Sequence, residues 1–304
     1  MTSGQDRIAL IDLTEWRINR NESVARQLLE AFRDTGFAHI SGHGVPETTR
    51  AAVFAAGRRL FALDGRRLDA VHNRHAGHCR GHVGLDETPG PGPRYETFDL
   101  GLELPDTYEG PGWTLRSTPN LWPDLPGFRS TVERYMAAVR ALSDSVLSAV
   151  AVALDQPPDF FAIRSHEPHA LLRLLHYPRQ PQLPEGSLSV GRHSDYEVVT
   201  VLAQDSVGGL QVHDPASGWV DVRPVPGAFV LNVGEMLARW TNGLLPATPH
   251  RVLSPRDRDR YSVAFFYATS YDVLIEPIGG PAADGYEPVT TGMYLEQRFG
   301  EVGN

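Results

Sequence analysis

Residues 193–202 read His-Ser-Asp-Tyr-Glu-Val-Val-Thr-Val-Leu and give the clearest indication of a fold class. The β-branched and apolar run at 198–202 predicts a strand directly after the polar triplet. Similar short runs follow, each bounded by proline or glycine, at residues 208–212, 218–222, 228–233, 251–253 and 261–267. Short strands separated by turn residues are typical of β-sandwiches and barrels, and a jelly roll fits this series best.

Two histidines and one aspartate in this region have the spacing of a metal site. His193 and Asp195 are two residues apart, so on one strand both side chains would point to the same face of the sheet. His250, in the later sequence Thr-Pro-His-Arg-Val, would supply a third ligand from a distant strand. Two imidazoles and a carboxylate can hold one face of iron(II) and leave its other positions open. The pattern predicts an iron(II) site, although the same ligands also suit the zinc of a hydrolase.

Arg260 and Ser262 repeat the two-residue spacing on a later predicted strand. Their side chains would therefore share a face and could hold a carboxylate together. Arginine suits this task because its planar donors match a carboxylate and it keeps its charge. The sequence thus pairs a metal site with an anion site.

Further motifs extend this pattern over most of the chain. They are DTGF at 34–37, GHGVP at 42–46, NLWP at 120–123, GGLQV at 208–212, PGAF at 226–229, NVGE at 232–235 and WTNG at 240–243. Together with the triplet at 193–195 and residues 250–252 and 260–262, this ordered set resembles the isopenicillin N synthase-like group of iron(II)/2-oxoglutarate-dependent oxygenases. The resemblance implies a mainly β fold with flanking helices, built on a double-stranded β-helix (jelly-roll) core with an N-terminal α/β extension.

The resemblance also implies a role for each candidate residue. His193, Asp195 and His250 would bind Fe(II), and the cosubstrate 2-oxoglutarate would be bound by Arg260, Ser262 and Tyr177. Such a dioxygenase oxidises, and most often hydroxylates, a C–H bond of a small-molecule metabolite with O2, releasing succinate and CO2. By analogy with relatives, the expected substrate is an intermediate of natural-product biosynthesis.

Residue 175 departs from the family pattern. Many relatives carry Asn-x-Tyr-Pro where this chain has Leu-His-Tyr-Pro at 175–178. Leu175 would share a strand face with Tyr177 but cannot donate a hydrogen bond, so a cosubstrate contact is lost or replaced. Two alternatives therefore stay open: an isopenicillin N synthase-like iron oxidase that closes a ring or desaturates without 2-oxoglutarate, and a non-catalytic jelly roll with a vestigial metal site.

A glycine- and proline-rich segment at 77–93 predicts an irregular loop over the mouth of the barrel. The candidate substrate residues lie in or beside it, and they are Arg80, Arg94, Glu96 and Phe98. The two arginines could clamp a substrate carboxylate, although a solvated loop explains them equally well.

The organisation predicted from the sequence is one catalytic unit with an N-terminal extension. Its parts are a non-haem dioxygenase extension with the covering loop (1–125), a long connecting helix region (126–165), the jelly-roll Fe(II)/2-oxoglutarate core (166–285) and a C-terminal helix (286–304). Apolar spacing predicts helices at 23–35, at 48–63, within 128–155 and at 293–299.

Composition limits the partners. With 41% apolar residues among 304, the chain can bury a substantial core. The net charge of −9 argues against nucleic acid as a partner. We expect no secretory leader, because the sequence shows no opening apolar run with a basic flank. We also expect no apolar stretch long enough to span a bilayer, and therefore no membrane partner. The expected partners are a small-molecule substrate and O2, and a monomer is favoured although the oligomeric state is open.

Two residue counts add to these limits. All 28 basic residues are arginine, which excludes Schiff-base chemistry on a lysine and the usual attachment of pyridoxal phosphate. Cys79 is the only cysteine, so an intramolecular disulfide is impossible. A reducing compartment fits this composition, and we expect a cytoplasmic protein.

Overall fold

The computed structural model describes residues 7–76, 80–87, 94–103, 118–279 and 286–302. Its strands in chain order are β1 (Leu10–Asp12), β2 (Phe37–Ser41), β3 (Gly81–Val83), β4 (Glu96–Gly101), β5 (Pro168–Tyr177), β6 (Leu188–His193), β7 (Val199–Gln204), β8 (Leu210–Asp214), β9 (Gly218–Asp221), β10 (Phe229–Val233), β11 (His250–Leu253), β12 (Arg260–Ser270), β13 (Leu274–Ile275) and β14 (Val289–Thr290). Its α-helices are α1 (Thr14–Asn19), α2 (Glu22–Thr35), α3 (Glu47–Phe61), α4 (Gly65–Asp69), α5 (Phe128–Ala153), α6 (Glu235–Trp240) and α7 (Thr291–Val302).

The two main sheets form the predicted jelly roll. The larger sheet has eight strands in the order β1-β2-β10-β7-β12-β5-β4-β3, and the smaller has the order β6-β11-β8-β9. The N-terminal strands extend the larger sheet at both edges, β1 and β2 on one side and β4 and β3 on the other. With helices packed on this sheet, the expected mainly β fold with flanking helices is confirmed.

The larger sheet separates two hydrophobic clusters. Alternate side chains of β12 point to opposite faces of this sheet and so belong to different clusters. Val263 and Phe265 belong to the cluster that also contains residues of α2, α3 and α5. Ala264 and its packed neighbour Phe266 belong to a second cluster, which includes Leu210 and Val252 of the smaller sheet. The molecule is therefore layered as helices, large sheet and small sheet, with the candidate site between the two sheets.

The helices lie where apolar spacing placed them, with ends shifted by two residues or fewer for α2, α3 and α5. For example, Asn21 caps α2 by accepting a hydrogen bond from the backbone N–H of Ser23. Gly36 ends that helix with a left-handed φ of 71°, which favours glycine.

Helix α5 contradicts the expectation that no stretch is long enough to cross a bilayer. By length and composition alone its 26 residues pass that test. Half of its most apolar stretch is buried, and the helix packs against α2 and α3. A core helix of a soluble protein can meet the same criterion of length and hydropathy, so α5 is only weak evidence that the chain crosses a membrane.

The expectation that residues 77–93 form only irregular loop is wrong for part of the segment. Residues 81–83 form β3, which pairs with β4 so that Gly81 lies opposite Asp99. Gly81 has a φ of 90°, and a Cβ there would collide with the backbone oxygen of Val71. A glycine required by its φ and by the close approach of Val71 was thus taken as a sign of irregularity. The rest of the predicted loop, 77–79 with Cys79 and 88–93, lies outside the described residues.

Candidate active site

The three predicted metal ligands meet where β6 and β11 pair. His193 is the last residue of β6 and lies directly opposite His250, the first residue of β11. Asp195 is not on the strand as expected, because β6 ends at His193 and Asp195 lies in the connection to β7. Antiparallel pairing brings the two histidines together, and the turn after β6 brings the carboxylate to them.

The ligand atoms of this group point at one another. Oδ1 of Asp195 lies 3.8 Å from Nε2 of His193 and 3.5 Å from Nε2 of His250. One ligand atom from each residue lies within 4.8 Å of the other two. Nδ1 of His193 and Nδ1 of His250 face the carbonyl oxygens of Gly191 and Thr248, at 2.9 and 3.2 Å. These contacts fit a proton on each Nδ1 and leave each Nε2 for a metal.

The second carboxylate oxygen of Asp195 is held by two buried donors. Oδ2 accepts hydrogen bonds from Oγ1 of Thr200 at 2.5 Å and from Nδ2 of Asn232 at 2.7 Å. Sequence reasoning did not give either residue this role. Each is a polar residue inside an apolar strand run. Because a buried polar group needs a hydrogen-bond partner, this pattern in the sequence could have identified both residues.

The ionisation of the group also suits a metal. Burial alone would raise the pKa of Asp195, but the imidazoles of His250 and His193 and the hydrogen bond from Thr200 hold it below its usual range. Burial, together with the charge of His250, lowers the pKa of His193. The pKa of His250 is raised, because the attraction of Asp195 outweighs the effect of burial. A carboxylate and neutral imidazoles are the forms that bind metals, so a metal would compete with a proton mainly at His250.

Arg260 lies in the same cavity with only 1% of its surface exposed. Its Nε donates to the carbonyl oxygen of Gly208 at 2.7 Å, and its Nη1 donates to Oγ of Ser262 at 3.1 Å. The ring centroid of Tyr177 lies 4.7 Å from the centre of the guanidinium. The structure thus brings Arg260, Ser262 and Tyr177 together, as the sequence predicted.

The cavity that joins the two groups is lined by both apolar and polar side chains. Its described lining is Phe37, Tyr95, Arg173, Leu175, Tyr177, Val190, His193, Asp195, Thr200, Leu202, Leu210, Asn232, His250, Val252, Arg260, Ser262, Ala264 and Phe266. Leu175 is part of this wall and offers no hydrogen bond there.

Arg173 is a polar wall residue that sequence reasoning missed. Its Nε and Nη2 donate to the two carboxylate oxygens of Asp99, at 2.8 and 2.7 Å. It lies on β5 two residues before Leu175, so strand alternation points both side chains into the cavity. The sequence Leu-Leu-Arg-Leu-Leu around it is a charge in an apolar strand, which is the signal that could have identified it.

The four substrate candidates named from the sequence do not belong to the described lining. Strand alternation on β4 turns Phe98 into the cluster beneath the helices, and turns Glu96 toward His82 and His176 on the same face. Arg80 is buried against Gly101, and Arg94 is exposed, with its backbone N–H bonded to Gln180. The structure therefore does not bring these four residues into the described cavity, because closeness to a loop in sequence does not fix the face to which a side chain points. Their contact with substrate stays a prediction.

Comparison with known proteins agrees with this geometry. The model of the 2OG-Fe(II) oxygenase superfamily matches residues 168–269, and that of the N-terminal region described as "non-haem dioxygenase in morphine synthesis" matches residues 8–125. A homoarginine-6-hydroxylase of Glycine max is 32% identical over 92% of this chain and 88% of its own length. A 2-oxoglutarate-Fe(II) type oxidoreductase of Emericella nidulans is 33% identical over 87% of this chain and 79% of its own.

A solved structure is similar over nearly the whole chain. A full-length Neurospora crassa protein in complex with alpha-KG, that is 2-oxoglutarate, has a TM-score of 0.85 and 29% identity, covering 96% of this chain and 95% of that one. The same protein has also been solved with alpha-KG and thymine. These likenesses support the reaction with 2-oxoglutarate over an iron oxidase that works without it. The chain belongs to the 2OG-Fe(II) oxygenase superfamily and is an Fe(II)- and 2-oxoglutarate-dependent dioxygenase.

Proposed function

We propose that His193, Asp195 and His250 bind the iron(II), and that Arg260 and Ser262 bind the distal carboxylate of 2-oxoglutarate, in the oxidation of a small metabolite. The observation that carries this proposal is the placement of a buried arginine and a His-Asp-His ligand set in one cavity. Iron(II) with 2-oxoglutarate supplies the oxygen chemistry that attacks a C–H bond. The residues of the chain supply ligands, orientation and exclusion of water.

Arg260 is well placed to bind a carboxylate. Its Nε is already held by Gly208, so the orientation of the guanidinium is fixed before the cosubstrate arrives. The hydroxyl of Ser262 lies beside Nη1, and Tyr177 covers the guanidinium face. A charge-assisted hydrogen bond in such a buried place is stronger than one in water.

The substrate would meet Arg173 rather than the arginines first suggested by the sequence. The carboxylate of Asp99 balances the charge of Arg173. The pair therefore offers the cavity an N–H donor in a fixed position rather than a net positive charge. Phe266, whose ring centroid lies 5.9 Å from the guanidinium, adds an apolar surface beside it. This combination suits a compact molecule with one carbonyl or carboxylate oxygen and an apolar or aromatic body.

The named relatives agree with part of this description. One is named for the hydroxylation of homoarginine and another binds thymine, and both are small molecules with a carbonyl or carboxylate oxygen. Only thymine also has the planar ring, because homoarginine carries a cationic guanidinium. Hydroxylation of a small natural-product intermediate is therefore our proposed reaction. A cytoplasmic monomer with neither nucleic acid nor membrane as a partner remains part of the proposal, supported by the net charge of −9 and the single cysteine.

The test is an anaerobic titration of the metal-free protein with iron(II) and then 2-oxoglutarate. Chelation by 2-oxoglutarate is expected to give a weak visible charge-transfer band in the wild-type protein and none in Asp195→Ala. Under air, a screen of small carbonyl-bearing metabolites should find one that stimulates succinate release. A band of equal strength in Asp195→Ala would overturn the ligand assignment, and a wild-type protein without any band would overturn the cosubstrate site.

A further inference from the structure

The side chain of Glu235 joins the metal-ligand loop to the C-terminal helix α7. Oγ of Ser194, the residue between His193 and Asp195, donates to Oε1 of Glu235 at 2.5 Å. Nη2 of Arg298 donates to the same oxygen at 2.7 Å, and the hydroxyl of Tyr294 donates to Oε2. One carboxylate thus connects the loop to two residues of α7.

The backbone around Glu235 holds the same loop. The N–H of Glu235 donates to the carbonyl oxygen of Asp195 at 2.8 Å, and the N–H of Gly234 donates to that of Val198 at 3.0 Å. A Cβ on Gly234 would collide with the backbone of Glu197, so this close approach requires glycine. Since Asp195 lies outside any strand, these contacts take the place of a sheet ladder in fixing its position.

Helix α7 also covers the residue on the other side of Asp195. The guanidinium of Arg298 lies 4.7 Å from the ring centroid of Tyr196, and the ring of Phe299 lies 6.0 Å from it. The side chains of Glu235 and Arg298 are 16% and 30% exposed, so solvent screens their ion pair only in part. Both neighbours of Asp195 are therefore in contact with the C-terminal helix or with the carboxylate that it holds.

We propose that Glu235 is a positioning residue that uses the docked C-terminal helix to fix the Asp195 loop for metal binding. The inference rests on the proposed role of Asp195 as a metal ligand. A ligand on a loose loop loses conformational freedom when the metal binds, and this loss weakens affinity. A loop that is already fixed avoids that loss. The C-terminal helix then contributes to metal affinity although none of its described residues is a proposed ligand.

The test is a Co(II) titration of the metal-free full-length protein, followed by visible absorption. Glu235→Gln keeps the size of the side chain but removes the charge, and should raise the dissociation constant about tenfold, the lower end for residues that orient a ligand. Tyr294→Phe should also raise the dissociation constant, by a smaller factor than Glu235→Gln does. Glu296→Gln makes the same chemical change on the exposed side of α7 and should leave the constant unchanged.

A merely structural role would give a different result. It would lower the melting temperature of Glu235→Gln while the Co(II) dissociation constant stayed at the wild-type value, and that outcome overturns the inference. If Glu235→Gln does not fold, wild-type affinity in both Ser194→Ala and Tyr294→Phe overturns it equally. Asp195→Ala is titrated in parallel: if it binds Co(II) like the wild type, the ligand assignment and this inference fall together. If only Asp195→Ala loses affinity, the inference alone is wrong.

Discussion

At the scale of single residues, the orientation of Asp195 depends on the different contacts of its two oxygens. Oδ2 is held by Thr200 and Asn232, and Oδ1 faces the two imidazoles. In the proposed role of Asp195 as a metal ligand, Thr200 and Asn232 would orient the carboxylate and act on metal affinity without touching the metal.

Replacing Thr200 tests this arrangement. Thr200→Val keeps the shape of the side chain but removes the hydrogen bond to Oδ2, so we expect the dissociation constant for iron(II) to rise about tenfold. The matched control is Thr200→Ser, which keeps the hydroxyl that bonds Oδ2 and should keep the affinity near the wild-type value. Anaerobic iron(II) titration measures both. Equal affinities in the two variants would contradict the role of Thr200.

Arg260 gives the second prediction at this scale. Arg260→Ala should raise the KM for 2-oxoglutarate by the equivalent of roughly 2–5 kcal/mol, because it removes a charged partner in a dry site. Iron binding should stay nearly intact, since the proposed ligands lie on β6, on β11 and in the connection after β6. Arg258→Ala, an exposed arginine two residues away that bonds Ser206, is the control. An unchanged KM in Arg260→Ala would show that the cosubstrate is held elsewhere.

At the residue level, the sequence was informative about which residue types lie close together and uninformative about the direction of side chains on strands that it did not reveal. The pairing of His193 with His250, and of Arg260 with Ser262, follows from strand patterns that the sequence displays. Glu96 lies on β4, and strand alternation turns it away from the described cavity lining. No sequence pattern showed where that strand begins.

At the scale of elements, three strands of the large sheet are tied together behind the cosubstrate residues. Glu96 of β4 bonds His82 of β3 at 2.8 Å and His176 of β5 at 2.7 Å. Nε2 of His176 in turn lies 3.0 Å from Oδ2 of Asp259, the residue before β12. His176 and Asp259 directly neighbour Tyr177 and Arg260, so this network fixes the strands that carry the proposed cosubstrate residues.

The network predicts a pH dependence of stability. Burial alone would lower the pKa of His176, but its bonds to Glu96 and Asp259 raise it above its usual value. The folded protein then holds this proton more tightly than the unfolded chain. The contribution is fully present below the unfolded pKa of about 6.5 and is lost as the pH rises through the folded pKa.

We therefore expect His176→Gln to lower the free energy of unfolding by about 1–3 kcal/mol near pH 6, and by less in alkaline solution. Urea unfolding at several pH values measures the difference from the wild type. His75→Gln, at an exposed position, is the control and should give a small difference. A difference for His176→Gln that does not shrink as the pH rises would contradict the proposed charge pairing.

Elements were predictable where one local signal dominates. Helix α2 follows from its apolar period, whose predicted span of 23–35 differs from the observed helix only at its first residue. The position of Asp195 was not predictable from its spacing to His193. Two side chains that are two residues apart can meet at one metal whether both lie on a strand or one lies in a turn. The choice is made by the backbone bonds from residues 234–236, which are far away in the sequence.

At the scale of the whole molecule, the N-terminal part and the core share one sheet. Strand β2 pairs with β10, and β4 pairs with β5, so strands from residues 1–125 cover both edges of the catalytic strands. The hydrophobic cluster under the helices likewise joins Leu28 of α2, Val139 of α5, Phe265 of β12 and Leu295 of α7. One hydrophobic core therefore includes residues from all four segments that we distinguished in the sequence, at 1–125, 126–165, 166–285 and 286–304.

A shared core predicts a single cooperative unfolding transition. Trp16 lies in the N-terminal part and Trp240 in the catalytic part, so fluorescence and far-ultraviolet circular dichroism should give the same urea midpoint. Leu28→Ala, which removes a fully buried side chain from α2, should cost about 2–5 kcal/mol and shift both signals together. Two separated transitions, or a shift in only one signal, would mean that the N-terminal part unfolds independently. In that case the catalytic sheet would have to tolerate two bare edges, an arrangement that exposes unpaired backbone groups on both sides of the site.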